Sequence, residues 1–162
     1  MTNHEEIEAI KKSALEFSKV LRAIVIDMPE DKILQTLPLG GQGKTCFPNG
    51  GCRAASNLFG HFLLERGIVK KIYQCTYEFI GDRGIEHTWL EYGNCIIDLT
   101  CCQYDGSLDV PPCPYKCPLV SDSDRDWYST NWPSEFRQCQ NVSEITLHVR
   151  YREILDNIKK AI

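Results

Sequence analysis

Apolar residues return at three- and four-residue steps near the start of the chain: Ile7, Ile10, Ala14, Leu15, Phe17, Leu21 and Ile24. That period predicts an amphipathic helix over residues 4–27. Met28-Pro29 ends it, because a residue before proline is pushed away from helical geometry. Residues 30–37 predict a short helix with Pro29 near its start, and residues 38–51 a glycine-rich loop. A further helix is predicted over 52–66, with Ala55, Leu58, Phe59, Phe62 and Leu63 as its apolar stripe and Gly67 in the usual capping position. The pattern then changes to β-branched and aromatic runs, which predict strands over 72–80, 86–92 and 95–100. Residues 81–84 form a turn between the first two, and Gly93-Asn94 a tight hairpin between the second and third. Residues 101–118 read as loop and 119–140 as irregular cover. Residues 143–162 predict a closing helix with Ile154, Leu155, Ile158 and Ile162 on one face, its β-branched start also compatible with a short strand. Helices followed by an antiparallel meander make an α+β domain. One domain is expected over 1–162, with N-terminal helices over 1–37, a core over 45–130 and a C-terminal helix over 143–162.

Composition narrows the class without naming a function. The chain has 162 residues, 43% of them hydrophobic, enough for one real core. Its net charge of −4, with acidic residues spread along the chain, gives no basic face for nucleic acid. The longest apolar run, residues 23–26, is far too short to span a bilayer. Residues 1–6 are polar and carry no basic-then-apolar leader pattern, so a cytoplasmic chain is expected. Secretion as an effector without such a signal stays open. In a reducing cytoplasm the sequon at Asn141-Val142-Ser143 carries no meaning. The nine cysteines then read as buried hydrophobes, metal ligands or catalytic thiols, not as a disulfide framework.

Cys52 is the cysteine most suited to chemistry. It falls where the glycine-rich loop becomes a helix, and free N–H groups and the helix dipole there favour a thiolate. Gly50 and Gly51 allow a tight turn and close approach of a substrate. His87 lies 35 residues on, near the start of a strand, as a general base and acid. Asp98 follows 11 residues later on the paired strand. If 93 and 94 are the turn, 92 faces 95 and opposed positions sum to 187. His87 then opposes Thr100 and Asp98 opposes Trp89, so His87 and Asp98 are diagonal neighbours on one face. Such positions lie roughly 7–8 Å apart at the backbone, within reach of a His–carboxylate hydrogen bond. Cys52, His87 and Asp98 are therefore expected to act as nucleophile, proton carrier and orienting carboxylate.

Three segments carry a family resemblance: Gly50-Gly51-Cys52-Arg53-Ala54-Ala55-Ser56, Glu86-His87-Thr88-Trp89-Leu90-Glu91-Tyr92 and Ile96-Ile97-Asp98-Leu99-Thr100. In order and spacing they resemble the transglutaminase-like superfamily of cysteine enzymes, and its compact members such as lasso-peptide leader peptidases. Asp98-Leu99-Thr100-Cys101-Cys102-Gln103-Tyr104, followed by Ser121-Asp122-Ser123-Asp124-Arg125-Asp126-Trp127, is similar to bacterial members of the same group. The likeness covers residues 45–130. It implies a papain-like or transglutaminase-like fold, a nucleophile helix packed on a small antiparallel sheet, and acyl transfer from an amide carbonyl. It implies no cofactor, and a peptide or protein substrate in place of nucleic acid or membrane. Papain-like enzymes carry a glutamine about six residues before the nucleophile, but Cys46 stands there and Gln42 lies further back. The Cys52 N–H, Gly51, Gln103, Gln42 and Trp89 are the remaining oxyanion or substrate candidates.

Two other readings stay open on the residues themselves. The first keeps the chemistry but directs it to a glutamine side chain, as a deamidase or transglutaminase. The second is a non-enzymatic zinc-binding or interaction module using Cys101, Cys102, Cys113 and Cys117. Cys113 and Cys117 have zinc-pair spacing, whereas Cys101-Cys102 makes a poor second pair. A phosphate-loop reading of Gly41-Gln42-Gly43-Lys44-Thr45 fails: Pro38 stands where the first glycine belongs, and Pro48 interrupts the helix that should follow. Trp127, Tyr128 and Trp132 read as core or groove cover, and His61 as a structural histidine beside an apolar stripe.

Overall fold

A computed structural model describes residues 3–29, 51–79, 85–102, 114, 116–122, 125–132, 135 and 137–162. The helix expected over 30–37, most of the glycine-rich loop and the 81–84 turn lie outside these residues. Helix α1 spans Asn3–Asp27 and α2 spans Cys52–Glu65. Strands β1 (Tyr73–Phe79), β2 (Ile85–Tyr92) and β3 (Cys95–Asp98) follow, then β4 (Leu119–Ser121), helix α3 (Arg125–Asn131), β5 (Arg137–Asn141) and helix α4 (Val149–Ala161). The five strands make one antiparallel sheet in the order β4-β3-β2-β1-β5. The molecule is a mixed α+β protein. Among the described residues, no helix is long and apolar enough to cross a membrane.

The expected three-strand meander is the centre of a wider sheet. Its two edges come from residues expected to be irregular. β4 is only three residues long, and β5 is the polar run Arg-Gln-Cys-Gln-Asn with its middle exposed. Neither offers the alternation that marks a half-buried strand, and short polar strands are typical of sheet edges. The third strand also ends earlier than expected, at Asp98. There the Asp98 side chain accepts the Thr100 N–H and turns the chain out of the sheet.

The two faces of the sheet bury different things. On one face Leu90, Cys95 and Ile97 meet the buried stripes of α1, α2 and α4. Helix α2 sits between the sheet and the other helices, so it is buried nearly all round, Ser56, Asn57 and Gly60 included. Phe17 of α1 packs on Phe59 and Phe62, with ring centroids 4.9 and 5.2 Å apart. The buried stripe of α1 is Ile10, Ala14, Phe17, Leu21 and Val25, while Leu15 is exposed. A period of 3.6 keeps Ala14 inward and turns its neighbour outward. In α4, Ile154, Leu155 and Ile158 are buried as expected, but Ile162 is exposed at the chain end.

The opposite face carries a separate core of Cys75, Tyr77, Trp89, Ile96, Cys101 and Leu119, covered by Tyr128 of α3 and by Trp132. Cys75 and Cys139 oppose one another directly across β1 and β5, with Cα atoms 4.1 Å apart, and are joined by a disulfide. This corrects the expectation that the cysteines stay reduced. Strand pairing brings into bonding reach two residues 64 positions apart.

Candidate active site

Two local features bring Cys52 to the sheet. Gly51 caps α2 without a side-chain bond, and its carbonyl accepts the Ala55 N–H at 2.9 Å, so the helix begins at Cys52. The first-turn N–H groups that follow lack intrahelical acceptors. Helix and sheet are then tied together just past the cysteine. Arg53 reaches Glu86 of β2, next to His87, at 2.9 Å and Glu78 of β1 at 3.0 Å. One turn on, the buried Ser56 hydroxyl donates to the Thr88 carbonyl at 3.1 Å. Exposed ion pairs stabilise little, so these bonds matter chiefly because they fix where the first turn of α2 lies relative to β2.

The hairpin has the expected register: Tyr92 faces Cys95, Glu91 faces Ile96 and Leu90 faces Ile97. It places His87 and Asp98 as diagonal neighbours, with His87 Nε2 2.6 Å from Asp98 Oδ2. The Cys52 thiol lies within hydrogen-bonding reach of the same imidazole. With Nε2 held by the carboxylate, Nδ1 is the ring nitrogen left for the thiol. Cys52, His87 and Asp98 are all buried, Asp98 completely.

Asp98 is surrounded by donors. Oδ2 also accepts the Tyr128 hydroxyl at 2.7 Å, and Oδ1 accepts the Thr100 N–H at 2.8 Å and the Thr100 hydroxyl at 3.2 Å. Burial alone would raise a carboxyl pKa. Here His87 and the Tyr128 and Thr100 donors outweigh it and hold Asp98 below its ordinary value. Burial likewise opposes charge on His87, but the Asp98 carboxylate and Cys52 beside it push its pKa up to about 10. These neighbours favour the charged form of His87. Trp132 and Trp89 flank the ring, at centroid distances of 4.9 and 5.7 Å, and keep water from competing with the His–Asp bond.

The other candidates divide. Gly51 is at the site, buried beside Cys52. Gln42 and Gln103 lie outside the described residues. Trp89 is a correction: it has no exposed surface, its Nε1–H donates to Glu91, and it packs among core aromatics instead of lining a cleft. Tyr128 is the residue that sequence reasoning missed. It was read as general aromatic cover, and nothing near it in sequence marks it as a partner of Asp98. Thr100 did carry a signal, the aspartate-x-threonine spacing, since an aspartate readily accepts the N–H two residues on. His61 is structural as expected, with Nε2 3.0 Å from the Ile145 carbonyl.

The zinc reading fits poorly. Cys117 Sγ lies 2.8 Å from Cys101 Sγ and 2.9 Å from Cys102 Sγ. With zinc–sulfur bonds of about 2.3 Å, tetrahedral ligands stand about 3.8 Å apart. Cys113 lies outside the described residues. Cys75, Cys139 and Glu91 also converge, but the two sulfurs are bonded to each other and Glu91 is held by Arg137 and Trp89. Comparisons with models of known protein families, with curated proteins and with solved structures find no match to this chain.

Proposed function

We propose that the protein is a cysteine-dependent acyl-transfer enzyme, a peptidase or amidase, on a papain-like or transglutaminase-like fold. The observation that carries the reading is the line Cys52–His87–Asp98, in which a carboxylate saturated with donors faces a buried imidazole beside a thiol at a helix start. A structural histidine needs one satisfied nitrogen. A histidine held by a buried carboxylate on one nitrogen and facing a thiol on the other has the arrangement of a nucleophile–base–orienter triad.

The reaction follows from these groups. The Cys52 thiolate adds to an amide carbonyl, and the carbonyl oxygen takes the negative charge. First-turn N–H groups of α2, that of Cys52 foremost, stabilise this oxyanion. His87 gives its Nδ1 proton to the departing amine, the C–N bond breaks, and a thioester to Cys52 remains. Water then adds to the thioester while His87 takes its proton, and the acid and the Cys52 thiolate are released. The substrate is a peptide or protein amide, and no cofactor is needed. Attack by an amine in place of water would give transfer, and a glutamine side chain in place of a peptide bond would give deamidation; no particular observation favours either.

An activated acyl ester tests the proposal by labelling the nucleophile directly. Peptide mapping is expected to find an acyl group on Cys52 that is absent from Cys52→Ala. Undiminished labelling of Cys52→Ala would remove Cys52 from the chemistry.

A further inference from the structure

Cys117 sits between two thiols, closer to both than a shared metal would hold them. Its sulfur is 2.8 Å from that of Cys101 and 2.9 Å from that of Cys102, nearer the disulfide bond length of about 2.05 Å than zinc-ligand spacing of about 3.8 Å. The Cys102 N–H also points at the Cys117 sulfur, at 3.1 Å. We propose that Cys101, Cys102 and Cys117 form a thiol–disulfide exchange site. In it Cys117 takes up a low-molecular-weight disulfide, and either member of the adjacent pair resolves it.

The three thiols differ in the ways these roles require. Cys117 and Cys102 are partly exposed and Cys101 is buried, so a small disulfide reaches Cys117 before Cys101. The Cys101 thiol, then the Cys102 thiol and N–H, hydrogen-bond the Cys117 sulfur and bring its pKa down to about 7, against the opposing effect of burial. A thiol that titrates near ambient pH is the best attacker in exchange. Cys95 makes the contrast: burial pushes its pKa up to about 11, which keeps it a thiol.

The exchange proceeds in two balanced steps. The Cys117 thiolate attacks one sulfur of a disulfide RSSR; the bond from Cys117 to that sulfur forms, the RS–SR bond breaks, and one thiolate leaves to take a proton from water. Cys101 or Cys102 then loses its proton to water and attacks the Cys117 sulfur, expelling the second thiolate. Two protein thiols are oxidised to one disulfide and RSSR is reduced to two thiols. Cys117 lies just before β4, whose Leu119 pairs with Asp98, and Cys101 and Cys102 follow the turn that Asp98 closes. The new bond would therefore join the two segments that flank the Asp98–Leu119 pair. The proposal concerns the protein's own thiols and stands apart from the role of Cys52.

Oxidised glutathione added to the reduced whole protein, followed by alkylation and tryptic mapping, tests it. Cleavage after Lys116 leaves Cys117 as the sole cysteine of residues 117–125, while Cys101 and Cys102 fall on residues 84–116 with Cys95 and Cys113. Of these three cysteines, Cys117 is expected to gain glutathione first in the wild type, and 117–125 then to appear joined to 84–116. The join is expected to survive Cys101→Ser and Cys102→Ser singly. In the double variant it should be lost, with glutathione left on Cys117. A join that persists in the double variant would overturn the assignment. So would capture of glutathione by Cys101 or Cys102 ahead of Cys117 in the wild type, a result that needs no variant to fold.

Discussion

Asp98 holds the site together because four donors converge on one buried carboxylate. Each of its oxygens accepts two of them. Removing the Tyr128 or Thr100 donors should let the Asp98 pKa rise. Tyr128→Phe removes a single hydroxyl and keeps the ring in its packing. The imidazolium of His87, raised from an ordinary 6.5 to about 10, is present below that value and lost as pH rises through it. The alkaline limb of any Cys52-dependent acylation that needs imidazolium is therefore expected near pH 10. In Tyr128→Phe the acid limb, set by Asp98, is expected to move to higher pH while the alkaline limb stays; a purely structural Tyr128 would change stability and leave both limbs in place. The same shift gives the sign for folding: the stabilisation from charged His87 is full below about pH 6.5 and fades as pH rises towards 10. Asp98, held below its ordinary 3.8, contributes above that value and loses its contribution as pH falls through its lower folded value.

At the scale of elements, α2 determines where the nucleophile sits, and Gly60 lets it pack closely on its neighbours. A Cβ there would lie 2.9 and 3.0 Å from the two methyls of Val142 and 3.3 Å from a Leu90 methyl. Alanine gains roughly 1 kcal/mol of helix propensity over glycine. Val142 is fully buried and stiff about χ1, so it yields little, and the clash should win. Gly60→Ala is expected to destabilise the protein by about 1–3 kcal/mol in denaturant unfolding; an unchanged or higher midpoint would show that the contact relaxes. The elements legible in the sequence were those with long periodic patterns. The period in α1 and the stripe plus Gly67 in α2 located both helices, and Gly67 has the left-handed φ of +66° that favours glycine at a helix end. Helix α3 has only seven residues, too few for periodicity to stand out, and β4 and β5 have no apolar alternation. What shapes these three is tertiary context: pairing to a finished sheet, and a second core to cover.

For the molecule as a whole, a five-stranded sheet divides two cores, and the His–Asp pair faces the aromatic one. The pair was legible because a two-residue turn fixes register, and register fixes which side chains share a face. Tyr128 was not, because it reaches Asp98 from a short helix 30 residues on, through the packing of the second core. The Cys75–Cys139 disulfide was hidden for the same reason: it depends on β5 pairing with β1. The account rests on one electrostatic statement, that Asp98 and Cys52 keep His87 charged inside a buried site. Nitrogen NMR of the His87 ring across a pH titration reads that charge directly. Both ring nitrogens are expected to stay protonated through neutral pH, with the transition near pH 10. A ring that is already neutral at pH 7 would contradict the account.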